Sequence, residues 1–180
     1  ITSRGSQVHG ELKTKLHPLI EVMFGFHSSQ SKSAIKKNRS LAEVLKEGTN
    51  FAFKHMAPME EDRCGFLKVP LIQKIINTMW FANKHDEGTM FPEHFKPFPY
   101  PTLALVLTAI ECCIDEWVTG KWGDIPFTTQ EYHSVYDAYL SVFKISTMLP
   151  RMSGYYGLSA LGSTRPAGTY HPRVHSVLQH

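Results

Sequence analysis

The chain has 180 residues, 42% of them hydrophobic, and a formal net charge of +3, enough for one domain with its own core. Its longest apolar run, about 16 residues carrying Glu111, Asp115 and Glu116, is too short and too charged for a membrane span. Three cysteines, Cys64, Cys112 and Cys113, give neither a disulfide framework nor a zinc-type spacing.

Charge is unevenly spread. Residues 1–54 carry a balance of +5, residues 55–144 a balance of −5, and residues 145–180 three arginines with no acid. A basic arm and a basic tail therefore flank an acidic middle.

Taken in order, residues 1–9 read as linker or the start of a fragment. From Gly10 to Phe26, Leu12, Leu16, Leu19, Ile20 and Met23 recur at helical spacing. Pro18 either begins a second helical piece or kinks the first, and Gly25 is a plausible stop. His17 and His27 read as ordinary histidines. Residues 28–39 are polar and basic, and are expected to form a loop. Ser40 and Glu43 form a capping box, which predicts a short helix over 41–47 ending at Gly48. Phe51 and Phe53 alternate as in an extended segment, but no partner strand is evident, so an anchored loop is expected.

Residues 58–65 read as a turn-rich loop. Pro70 opens a helix expected to reach Lys84, with Leu71, Ile72, Ile75, Ile76, Met79 and Trp80 as its core stripe. The connection 85–100 holds three prolines and four aromatic rings. It is too proline-rich for a continuous helix and too aromatic for a free linker. Phe91, Phe95 and Phe98 are expected to anchor it.

Residues 101–120 form the organising element. Leu103, Val106, Leu107, Ile110, Cys113, Ile114 and Trp117 share one helical face, and Leu105, Ala109 and Cys112 widen it. Only Thr108, Glu111 and Asp115 mark a polar strip, with Glu116 beside it. Thr128 and Glu131 form a second capping box, with Phe127 and Tyr132 at the staple positions. Tyr132, Val135, Tyr136, Tyr139, Leu140 and Phe143 continue that helix. Residues 146–180 are rich in Gly, Ser, Pro and Tyr and are expected to be a disordered tail. The expectation is an all-α fold: one compact domain of about five helices, residues 10–145, around a central buried helix at about 102–118.

Three segments carry a resemblance: PLIQKIINTMWFANKHDEG (70–88), FPYPTLALVLTAIECCIDEWVTG (98–120) and IPFTTQEYHSVYDAYL (125–140). The opening 10–26 joins them. Together they resemble the "domain of unknown function 6532" family of mushroom-forming fungi. The resemblance implies a fungal, intracellular, helical domain. It carries over no catalytic residues. The tail after Ile145 departs from the helical continuation the family would imply.

The residues offer three functional readings. The first is a non-catalytic interaction module, with an unknown protein partner or self-association. Its contact residues would be Phe91, Phe95, Phe98, Tyr100 and Trp122, since aromatic anchors dominate interface energies. The second is phosphate or nucleic-acid binding through the basic arm, Lys32, Lys36, Lys37, Arg39 and Lys46. The third is a metal-dependent enzyme using His85, Asp86 and His94, whose ligand types suit zinc or non-haem iron. Glu111 and Asp115, one turn apart, also suit acid-base work if buried together, but read more simply as a wet strip or as partners for Lys residues. Cys64 follows Arg63 without a partner His. No nucleophile elbow, phosphate loop or dinucleotide fingerprint is present. No cofactor and no membrane partner is expected. The protein is expected inside the cell, with nucleus and cytoplasm both open because the Lys/Arg run is short and interrupted.

Overall fold

The computed structural model describes the backbone of residues 2–148 and the side chains of residues 7–145. Five long helices and one single-turn helix make up most of it: α1 (Thr2–Ile20), α2 (Lys32–Lys46), α3 (Pro70–Trp80), the one-turn α4 (Glu87–Met90), α5 (Tyr100–Asp115) and α6 (Thr129–Met148). Two three-residue strands, β1 (Phe53–His55) and β2 (Cys64–Phe66), pair antiparallel with Phe53 opposite Phe66 and His55 opposite Cys64. The expected tail, 146–180, opens with three residues that α6 keeps helical as far as Met148, and from residue 149 it lies outside the described residues.

The apolar character of α5 makes it the hub. Leu103, Ala104, Val106, Leu107, Ala109, Ile110, Cys112, Cys113 and Ile114 are all buried, and α1, α2, α3 and α6 pack around them. Pro101 sits in the first turn, where its missing amide costs nothing. After Asp115 the chain continues in tight turns to Gly120, whose φ of +85° suits glycine. Trp117 stacks on Phe26 with ring centroids 5.0 Å apart, joining the end of α5 to the segment after α1.

Several expectations are corrected. Residues 2–9 are helical rather than linker, because α1 begins at Thr2. Pro18 starts no separate helix: α1 passes through it to Ile20, then widens into a π turn over Glu21–Gly25, where Gly25 ends it at φ +82°. The basic stretch is not a loop. Ser31 caps α2, its Oγ accepting from Ala34 N at 3.2 Å, so Ser40 and Glu43 lie mid-helix. The segment at Phe53 does find a strand partner, in Cys64–Phe66. Helix α3 ends at Trp80, four residues short of Lys84. Thr128 caps α6 as expected, with Glu131 N donating to Thr128 Oγ1 at 3.3 Å and Phe127 5.6 Å from Tyr132 between ring centroids.

Candidate functional site

Lys13 and His17 are one turn apart on α1 and leave the same face. That face meets the end of α5, where the Glu116 side chain is completely buried. A carboxylate there faces two penalties, lost hydration and the negative end of the helix dipole. Its neighbours offset both. Lys13 Nζ lies 2.8 Å from Oε1 and His17 Nε2 lies 2.8 Å from Oε2. Trp122 Nε1 donates to Oε2 and Ile125 N to Oε1, each at 3.3 Å. Lys13 also donates to Asp124 Oδ1 at 2.6 Å and to Ile125 O at 2.5 Å.

Burial alone would lift the Glu116 carboxyl, but His17 and Lys13 outweigh it and hold it below the ordinary range. Burial likewise pulls Lys13 down, while Asp124 and Glu116 more than reverse that. The pair is therefore ionised at neutral pH. His17 Nε2 is close to Glu116 yet closed off from solvent without an aligned hydrogen bond.

A cavity of about 350 Å³ opens over this cluster, with His17, His27, Ser29, Trp117, Lys121 and Trp122 among its walls. Buried Asn38 on α2 holds its rim. The side-chain amide of Asn38 donates to His27 O at 2.8 Å and Gly120 O at 3.0 Å, and its oxygen accepts from His27 N at 3.1 Å. A carboxylate-paired histidine at a cavity wall has the makings of a proton carrier. Here, however, the nitrogen facing Glu116 is turned away from solvent.

A second polar cluster joins α2, α5 and α6. Lys46 Nζ pairs with Asp115 and lies 3.9 Å from Glu111 Oε1. Tyr132 OH donates to Asp115 Oδ2 at 2.9 Å, and Tyr139 OH to Glu111 Oε2 at 2.7 Å. The polar strip of α5 is thus not wet. It faces α2 and α6, and its carboxylates hold neighbouring helices. Burial pushes the Tyr132 phenol well up, the nearby Asp115 adding to it, so it stays a neutral donor. Cys112 is pushed up to about 12, and Cys113 well above its usual value, both by burial. Neither is a thiolate nucleophile at neutral pH. Cys64 is exposed on β2.

The expected site residues scatter. Of the basic arm, Lys32, Lys36 and Lys37 are exposed on α2 and make no ion pair among the described residues. Arg39 donates to Thr119 O at 3.1 Å, and Lys46 serves the internal cluster above. The aromatic residues do not form one patch. Phe95 and Phe98 pack inward, in a chain of rings from Phe81 through Phe95 and Phe98 to Trp80, with centroid spacings of 5.3, 5.8 and 6.0 Å. Phe91 stays exposed in that loop. Tyr100 stacks on Phe143 of α6, and Trp122 stands at the cavity, edge-on to His17. His85, Asp86 and His94 are not brought together as ligands. Asp86 accepts from Asn83 N at 2.7 Å, and His94 stacks on Phe91. Among the described residues, the ligating atoms that do converge are those of His17, Cys113 and Glu116, all within 4.8 Å of one another. From sequence His17 reads as an ordinary histidine, Cys113 as core and Glu116 as flanking the polar strip, and Asn38 carries no signal. The one available signal was the i, i+4 spacing of Lys13 and His17.

A bundle of helices around one apolar helix, with its buried charges paired internally, defines an all-α domain. No helix among the described residues is long and apolar enough to cross a membrane. Residues 1–145 match the family described as Domain of unknown function (DUF6532), and the chain belongs to that family. Over 58 residues, 32% of this chain and 71% of the relative, it is 31% identical to Large ribosomal subunit protein uL24c of Phaeodactylum tricornutum. No solved structure matches the chain.

Proposed function

We propose that the domain is a non-catalytic interaction module that binds a protein partner through the loop following α3. One observation carries this reading. Phe81, Met90 and Phe91 stand 37%, 53% and 46% exposed on a loop whose other rings are locked into the core. Gly88 lies so close over Phe81 that an added Cβ would come within 2.5 Å of the ring, so the loop is seated rather than loose. Exposed apolar side chains held on a packed base lose little entropy on binding. Exposed Glu87, Glu93 and Lys96 supply a polar rim. The Lys46, Asp115 and Glu111 cluster supports the same reading, because its charges hold helices together.

The test uses the full chain and a Met90→Ser/Phe91→Ser double variant as baits in cells that make the protein, and light scattering of each over a wide concentration range. The proposal expects a partner, or self-association, that the double variant loses while its thermal transition stays in place. Equal capture and equal mass for both proteins would overturn it.

A second reading is phosphate binding by Lys32, Lys36 and Lys37. Their exposure along one helix favours it, as does the similarity of a 58-residue stretch to a protein named for the large ribosomal subunit. Anisotropy against duplex DNA and single-stranded RNA over a salt series tests it. Binding that weakens log-linearly with salt and vanishes in Lys36→Glu/Lys37→Glu would support it.

A further inference from the structure

We propose that His17, Cys113 and Glu116 form a binding site for a divalent cation of the zinc class. Donor chemistry, geometry and burial converge on one point beneath the cavity. First, the donor set is mixed: an imidazole nitrogen, a sulfur and a carboxylate oxygen, which together select a borderline ion such as zinc over calcium or magnesium. Second, the geometry is nearly closed. The ligand atoms lie within 4.8 Å of one another, whereas bonds to tetrahedral zinc would set them about 3.5 Å apart. The His17–Glu116 pair, at 2.8 Å, would open slightly and the widest separation would close by about 1 Å, both by side-chain rotation. Third, His17 Nε2 is closed off from solvent 2.8 Å from Glu116 Oε2 without an aligned hydrogen bond, so an ion between them would replace a poorly aligned contact.

Local charge agrees. Lys13 occupies the far oxygen of Glu116, Oε1, and is itself balanced by Asp124. The carboxylate of Glu116 and the thiolate of Cys113 then neutralise the two charges of the ion, and the thiol proton is released on binding. Cys113 and Glu116 sit one helical turn apart at the end of α5, and His17 comes from α1. Binding therefore ties two helices together. Of the three ligands only His17 reaches the cavity wall, and its Nε2 is turned inward, so the ion would sit enclosed beneath that space. The site lies elsewhere than the 85–94 loop, the place of the third reading the sequence offers.

The test uses the full chain carrying Cys64→Ser, which removes the exposed thiol. Cobalt(II) is titrated in under reducing conditions, because a thiolate–cobalt bond gives an intense charge-transfer absorption. The expected result is a band that saturates at one ion per chain and is displaced by zinc. Cys113→Ser should abolish the band, and His17→Gln should weaken cobalt affinity about tenfold or more. If Cys113→Ser fails to fold, His17→Gln, at a partly exposed side chain, carries the test. A folded parent that shows no charge-transfer band would overturn the proposal. So would a band of unchanged affinity in His17→Gln.

Discussion

Single residues here do structural work that their chemistry disguises. Lys46 would ordinarily be solvent-facing, yet it sits between Asp115 and Glu111. Lys46→Met keeps the aliphatic stem and removes the charge, leaving Asp115 buried beside Tyr132 with no cation. Urea denaturation should show a loss of about 3 kcal/mol, as for other broken buried pairs. A loss under about 1 kcal/mol, typical of a surface pair, would mean that the cluster is wet. Gly120 is a second such position. At φ +85°, an added Cβ would meet the Ile35 carbonyl oxygen at 2.2 Å. Gly120→Ala should cost about 2 kcal/mol or more by the same measurement. The thiols give a third expectation. In the native protein a disulfide reagent should label Cys64 quickly, while Cys112 and Cys113 react only on unfolding, because burial holds both thiols protonated.

At the scale of elements, the helices differ in how plainly their signals could be read. The α3, α5 and α6 stretches combine helical periodicity with proline or capping-box starts, and their expected starts hold to within two residues, although α3 stops short at Trp80. Helix α2 was misplaced for a physical reason. Ser31 caps it without a Glu three residues on, whereas Ser40 and Glu43 have the spacing of a capping box but fall where the helix is already running. Replacing Ser31 by Ala should therefore cost about 1 kcal/mol, and Ser40→Ala should cost almost nothing. The reverse order in thermal denaturation would return the helix start to Leu41. The strands escaped notice because three residues each carry too little alternation, and their pairing depends on a turn-rich connection that brings Cys64–Phe66 back to Phe53–His55.

At the scale of the molecule, the architecture was legible and the candidate site was not. One helix apolar on most sides had to be central, and α1, α2, α3 and α6 do surround it. The charged cluster under the cavity joins Lys13 and His17 to Glu116, about a hundred positions apart, and no local spacing announces such a pairing. Asn38 is similar: a lone polar residue among lysines, it proves to be the clasp between the segment after α1 and the turn at Gly120. The aromatic loop lies between these cases. Its anchoring could be expected from composition, but which rings turn inward depended on Trp80 and Phe81 lying beneath it.

The proposed presentation of Phe81, Met90 and Phe91 to a protein partner has a direct test. The most direct measurement is the affinity of the captured, purified partner for three forms of the full chain: the parent, Met90→Ser/Phe91→Ser, and Lys36→Glu/Lys37→Glu. The account predicts that the loop variant binds about tenfold more weakly or worse, with the lysine variant close to the parent. Undiminished binding by the loop variant, with loss in the lysine variant, would contradict it and move the working surface to α2.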